Sequence, residues 1–122
     1  IGESGIDEQT ALLLRHDADA MSLLHMAIRV NGSCAARLVG TDGVIHIDPF
    51  MHAPNRLRIE RGFDTEQLDF PDASLHFQVP EVHRCLRAGL LESDVMPHAD
   101  TLAMLATLDD ARSQIGLRFP DE

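Results

Sequence analysis

Lysine is absent from this 122-residue sequence, and all ten of its basic side chains are arginine. Without lysine the chain has no Schiff-base nucleophile, no P-loop lysine for phosphate and no lysine general acid. Its 20 acidic side chains give a formal net charge of −10. Because an acidic chain repels phosphate backbones and anionic lipids, this charge argues against nucleic acids and membrane surfaces as partners.

Cysteine is scarce, and long apolar runs are missing. Cys34 and Cys85 are far apart and form no CxxC pair, which suits a reducing cytoplasm better than a disulfide framework. No run of 18 apolar residues and no basic, then apolar, leader is present. We therefore expect a cytoplasmic protein. The first residue is Ile1 rather than methionine, and of processing and truncation we favour truncation of a longer protein.

The motifs of common active sites are also missing. The sequence has no GxGxxG fingerprint between a strand and a helix, no Walker A motif and no GxSxG elbow. Seven histidines invite a metal interpretation, but none has HExxH or HxH spacing and neither cysteine lies beside a histidine at zinc-finger spacing. We therefore predict no catalytic, cofactor-binding or metal-binding residue in this chain.

What the sequence does contain is a set of short alternating segments. A chain of this length, with 44% hydrophobic residues, is the size of one domain, and we predict a single domain over residues 1–122 with its own core. Apolar and polar residues alternate with the period of half-buried strands. An Asp-Gly turn at residues 40–43 indicates a hairpin. The predicted strands cover residues 10–15, 21–30, 33–39, 44–48, 55–61 and 73–79.

The period then becomes helical. One helix is predicted to begin near Pro80 and end at Gly89, and a longer one to begin after Pro97 and end at Gly116. Strands followed by helices indicate an α+β fold. We predict an open-faced, mainly antiparallel sheet of about six strands, with the two C-terminal helices on one face.

The second face of that sheet must meet either water or another protein surface. We expect it to carry candidate interface or substrate-facing residues, which are His25, Arg29, Arg37, His46, Arg58, His76 and Gln78. A solvated face and an interface with a partner subunit or a missing domain both remain open. Met21, Leu23 and Ala27 favour the interface, because a solvated face is usually more polar.

The C-terminal part of the sequence is the most specific. Residues 81–93 (EVHRCLRAGLLES), Met96-Pro97 and residues 100–102 resemble the C-terminal signature of the Gfo/Idh/MocA oxidoreductases, and so does the ending QIGLRFP at residues 114–120. These enzymes are relatives of glucose–fructose oxidoreductase, inositol dehydrogenase and dihydrodiol dehydrogenase. The segment RLVGTDGVI at residues 37–45 resembles the family's hairpin, so the resemblance runs along nearly the whole chain.

The resemblance implies two domains. A Rossmann domain would hold NAD or NADP and supply a lysine from a Glu-Lys-Pro motif, and an open-faced sheet domain would wall the substrate pocket and often form the subunit interface. This chain has no position that matches the catalytic or nucleotide-binding motifs. The resemblance therefore implies the C-terminal substrate and oligomerisation domain of a sugar, polyol or diol dehydrogenase, inactive alone, whose partners are a missing N-terminal Rossmann domain and a second subunit at the sheet face.

Two other functions remain open at this point. The chain is alternatively a free-standing dimerisation or binding module that uses the open sheet face. A third alternative is a small enzyme or metal protein that uses the histidine-rich face, which would require bound metal.

Overall fold

The computed structural model describes residues 1–70 and 75–119 as two compact units. Unit 1 comprises Ile1–Gly32 and Glu92–Glu122, and unit 2 comprises Ser33–Leu91. The strands are β1 (Gln9–Arg15), β2 (Met21–Ala27), β3 (Ala36–Gly40), β4 (Gly43–Ile47), β5 (Arg56–Arg61) and β6 (Asp64–Asp69), and the helices are α1 (Gln78–Ala88) and α2 (His98–Ile115).

Unit 1 contains an antiparallel hairpin and the longer helix. β1 and β2 pair in register, with Leu12 opposite Leu24 and Leu13 opposite Leu23. Because successive side chains point to opposite faces, Leu12 is partly buried while Leu13 and Leu23 are exposed. α2 ends at Gly116, which is left-handed with φ 71°, as a C′ glycine should be. The predicted strand at residues 10–15 and the predicted second helix are both confirmed.

Unit 2 contains a four-stranded antiparallel meander in the order β3-β4-β5-β6. The predicted β3–β4 hairpin is confirmed: Gly40 pairs with Gly43, so the loop is Thr41-Asp42. The Asp-Gly pair therefore straddles the end of the loop rather than forming its centre.

The strand predicted at residues 73–79 is wrong where the structure describes it. Leu75–Phe77 is a 3-10 turn and Gln78 already begins α1. Residues 73 and 74 lie outside the described residues. Pro80 is the third residue of the helix, where its missing N–H has no intrahelical partner to lose. The sixth strand is instead β6 (Asp64–Asp69), which was not predicted.

The fold class is α+β with open antiparallel sheets, as predicted, but the six strands form two sheets rather than one. β2 ends at Ala27, and the connection to β3 contains Cys34 in a left-handed conformation with φ 46°. This break separates a two-stranded sheet from a four-stranded one. A single domain over residues 1–122, and both helices on one face of a sheet, stay predictions.

The described residues bury little apolar surface. Among residues 1–70 and 75–119, the buried side chains are Cys85 and Leu117, which are 9% and 5% exposed. The expected core is therefore absent from this part of the chain. Large apolar side chains such as Leu23 and Leu91 are instead 80% and 97% exposed.

Candidate functional site: the polar face of the four-stranded sheet

Three of the predicted surface residues form one row across unit 2. Arg37 on β3 is opposite His46 on β4, and His46 is opposite Arg58 on β5. Arg58 is in turn opposite Gln67 on β6. Directly opposed residues in antiparallel strands share a face, so these four side chains form a polar row on one side of the sheet. We call this side the polar face.

Glu60 lies two residues beyond Arg58 on β5 and therefore on the same face. Its Oε2 atom is 3.1 Å from Nε2 of His46, and its Oε1 atom is 3.4 Å from Nε of Arg58. The His46 Nε2 atom is shielded from solvent, and its contact with Glu60 is not a well-aligned hydrogen bond. His46 lowers the pKa of Glu60 most, with further lowering by Arg58 and Arg37 against an opposing effect of burial.

A second carboxylate lies at one end of the polar face. Asp69 on β6 is opposite Arg56 on β5, and Nε of Arg56 donates to Oδ1 of Asp69 at 2.8 Å. Nε2 of Gln67 donates to Oδ2 of Asp69 at 3.0 Å. The hydrogen bond from Arg56 is the main cause that lowers the pKa of Asp69, followed by the one from Gln67.

The two faces of this sheet differ sharply in chemistry. The face opposite the polar one carries apolar cross-strand partners, with Leu38 opposite Ile45 and Ile45 opposite Ile59. On the polar face, His46 and nearby guanidinium groups lower the pKa of Glu60, and Arg56 and Gln67 lower the pKa of Asp69. A lowered pKa makes a carboxylate both a poor proton donor at neutral pH and a weaker base than an ordinary carboxylate. The polar face is therefore suited to binding polar groups rather than to proton transfer.

The other four predicted residues lie elsewhere. In unit 1, His25 on β2 is 2.9 Å from Nε2 of Gln9, and Arg29 forms a 2.9 Å ion pair with Glu8. In unit 2, His76 lies in the 3-10 turn, with its ring centroid 4.3 Å from that of Phe77, and Gln78 is the first residue of α1.

The row thus unites Arg37, His46 and Arg58, and sequence reasoning missed Gln67 and Glu60. The alternation of β5 could have predicted Glu60, since it lies on the same face of the strand as Arg56 and Arg58. Gln67 gave no such signal because its strand was not predicted. Whether any of these residues contacts substrate or a partner subunit stays a prediction.

Residues 1–70 and 75–119 contain neither a metal site nor a membrane-spanning helix. No group of three or more histidine, cysteine, aspartate or glutamate side chains there is arranged to hold a metal ion. No helix in the described part of the chain has both the length and the apolar character needed to cross a bilayer.

Comparisons with known proteins identify several dihydrodiol dehydrogenases as relatives. No protein-family model matches the chain. It is 29% identical to the trans-1,2-dihydrobenzene-1,2-diol dehydrogenase of Xenopus tropicalis, 28% to that of Danio rerio and 25% to that of Homo sapiens. These matches cover 97–98% of the chain but 38% of the length of each relative. The chain is therefore similar, over nearly its whole length, to the C-terminal part of dihydrodiol dehydrogenases of the Gfo/Idh/MocA family, the similarity that its tail indicated.

Proposed function

We propose that this chain is the C-terminal domain of a longer NAD(P)-dependent oxidoreductase, in which it helps form the substrate pocket and the subunit interface and does not catalyse alone. The observation that supports this most is the match of nearly the whole chain to the C-terminal part of dehydrogenases that are much longer. An N-terminal Rossmann domain would bind NAD or NADP and supply the groups that transfer the hydride.

The polar face supports a substrate that carries several hydroxyl groups, such as a sugar, polyol or diol. Its row offers guanidinium donors from Arg37 and Arg58, an imidazole from His46 and an amide from Gln67. Hydroxyl groups both donate and accept hydrogen bonds, and a row that mixes such donors with the Glu60 carboxylate can satisfy both roles. Any proton transfer would fall to the N-terminal domain, because the lowered pKa values of Glu60 and Asp69 make both carboxylates weak bases and poor proton donors.

The experiment compares this 122-residue chain with the full-length protein from its source. We expect the full-length protein to bind NADH or NADPH, measured by nucleotide fluorescence, and to oxidise a trans-dihydrodiol. We expect the isolated chain to do neither. Micromolar affinity for either nucleotide in the isolated chain would contradict the proposal.

The role of the polar face is tested separately in the full-length enzyme. Arg58→Gln removes a charge from the centre of the row and should raise KM for the diol more than it lowers kcat, because the side chain binds without reacting. Arg15→Gln is the matched control, since Arg15 lies in unit 1 and pairs with exposed Asp19 at 2.6 Å. Equal kinetics for both variants and the wild type would remove the polar face from the substrate site.

A free-standing dimerisation module is the second candidate. It is favoured by the outward face of the β1–β2 hairpin, where Leu13, Met21 and Leu23 are 69%, 69% and 80% exposed. Exposed clusters of this kind often mark protein interfaces. Sedimentation of the 122-residue chain over a range of concentrations distinguishes the candidates. A monomer at every concentration argues against the module, whereas the C-terminal-domain proposal is decided by the nucleotide and activity measurements.

A further inference from the structure

Unit 1 contains an apolar groove between the β1–β2 hairpin and α2. Its apolar walls are formed by Leu12, Met26, Leu105, Leu108, Ala111 and Ile115, and its volume is about 370 Å³. We propose that this groove is the docking site of the polypeptide segment that precedes Ile1 in the full-length protein. The proposal rests on the proposed function, because it requires that longer polypeptide.

The walls of the groove are apolar for a reason visible in the sequence. On the strand side, Leu12 and Met26 lie on the same face of the hairpin, because Leu12 pairs with Leu24 and Met26 is two residues further along β2. On the helix side, Leu105, Leu108 and Ile115 recur near helical spacing. Leu105 and Leu108 are nevertheless 50% and 48% exposed. Burying them would be favourable by roughly 25 cal/mol for each Å² removed from water.

The polar groups at the rim already bond to one another. Nη2 of Arg112 is 2.7 Å from Oδ1 of Asp109, and its guanidinium carbon lies 4.6 Å from the centre of the Phe119 ring. The hydroxyl of Thr10 donates to Asp7 at 3.0 Å. A small polar ligand would have to displace these contacts, whereas an apolar segment of polypeptide would leave them in place. The groove therefore favours apolar side chains from a peptide.

The hollow beside the groove favours a segment of the same chain. A neighbouring hollow of about 390 Å³ is lined by Ile6, Ala27 and Ile28, and it shares Asp7, Met26 and Phe119 with the groove. Apolar surface is thus continuous from Ile6 to the groove. A polypeptide joined at Ile1 would reach this surface as an intramolecular partner, at a far higher effective concentration than a second copy in solution.

The relatives supply the length that such a segment needs. The chain matches the C-terminal part of dehydrogenases and spans 38% of their length, so most of each relative precedes the matched region. The groove belongs wholly to unit 1, the unit that contains Ile1. We infer that the preceding segment supplies the apolar contacts that unit 1 does not make by itself.

The test places a single new cysteine on α2 of the full-length protein. Leu108→Cys lies in the groove, and Leu102→Cys is the matched control on the same helix, where Leu102 is 66% exposed and does not line the groove. Each variant is treated with a maleimide under native conditions, and labelling is read from the mass of the α2 peptide, which separates it from labelling of Cys34 and Cys85. We expect the Leu108→Cys thiol to react several-fold more slowly than the Leu102→Cys thiol, because the docked segment covers it.

A second comparison measures the thermal stability of the long and short proteins. Leu108→Gln should lower the Tm of the full-length protein by several degrees and change that of the 122-residue chain little, since Leu108 is half exposed in the latter. Equal labelling of the two cysteine variants would overturn the proposal, as would equal Tm shifts in the long and short proteins. So would dimerisation of the short chain that Leu108→Gln abolishes, since the occupant would then be a second copy.

The docking proposal and the proposed function can be disproved separately, because different measurements test them. If the full-length protein binds NAD(P)H and the Leu108→Cys variant labels as fast as its control, the oxidoreductase proposal stands and the groove proposal falls. If the source contains no polypeptide longer than this chain, both fall together.

Discussion

The carboxylate of Glu60 shows how neighbouring side chains determine the state of a residue on the polar face. It has His46 and Arg58 within ion-pair distance, and Arg37 contributes at longer range. The contact with His46 and the charges of Arg58 and Arg37 stabilise the ionised form, whereas partial burial opposes it, and the net result is a pKa below the ordinary value of 4.5. The residue is therefore a fixed negative charge within a basic row.

This charge gives the stability of unit 2 a defined pH dependence. Because the folded-state pKa of Glu60 is lowered, its contribution is present above the ordinary value of 4.5 and is lost as the pH falls through the lowered pKa. We expect Glu60→Gln to lower Tm at neutral pH, and we expect the difference from wild type to disappear in acid. Thermal unfolding followed by circular dichroism across this pH range checks it.

The control for this prediction is Glu66→Gln. Glu66 lies on the other face of the sheet, opposite Ile59, and its contact with Arg61 is longer at 3.8 Å. We expect this variant to have a smaller effect at every pH. A Tm difference for Glu60→Gln that stays constant from neutral pH to acid would show that the substitution acts through packing rather than through charge.

Among the elements, the β3–β4 hairpin depends on one glycine. A Cβ at Gly43 would overlap the backbone carbonyl oxygen of Glu60 on the neighbouring strand, and backbone atoms cannot rotate away as a side chain can. The close approach of β4 to β5 therefore requires glycine at this position. Gly32 provides a contrast, since a Cβ there would meet nothing within 4 Å.

We accordingly predict that Gly43→Ala lowers the free energy of unfolding by about 1–3 kcal/mol, the usual range for overpacking. Gly32→Ala should change it by no more than about 0.5 kcal/mol. Urea denaturation of both variants measures the difference. Equal midpoints for the two alanine variants would mean that the strands separate at little cost and that the sheet is less rigid than its register indicates.

The elements also show which parts of this structure were predictable. Turns and caps are local signals, so the hairpin at residues 40–43 and the glycine ends of α1 and α2 followed directly from the sequence. β6 did not, because its sequence DTEQLD forms an exposed edge strand without apolar alternation. The alternation of Leu75, Phe77 and Val79 was misleading, since it continues into the helical pattern of α1.

The polar face was predictable only in part for a related reason. Parity within a strand shows which residues share a face of that strand, and this placed Arg37, His46 and Arg58 among the candidates. The row itself depends on register between strands, which the sequence does not specify without strand order. For the same reason His25 and Arg29, which belong to unit 1, could not be separated from the row in advance.

At the scale of the whole molecule, two observations agree. The described residues leave most large apolar side chains exposed, and the chain corresponds to 38% of the length of dehydrogenases that it matches almost end to end. A domain that normally packs against the rest of a longer enzyme would have both properties. The proposal of a C-terminal oxidoreductase domain explains them together.

The mass of the native protein in its source cells tests this proposal most directly. An antibody raised against the 122-residue chain would be used on a denaturing blot, where subunit association cannot raise the apparent mass. We predict a single band well over twice the chain's own 13.5 kDa, as the 38% share of the relatives requires. A band at 13.5 kDa would contradict the account, and the exposed face of the β1–β2 hairpin would then become the first place to look for what the protein binds.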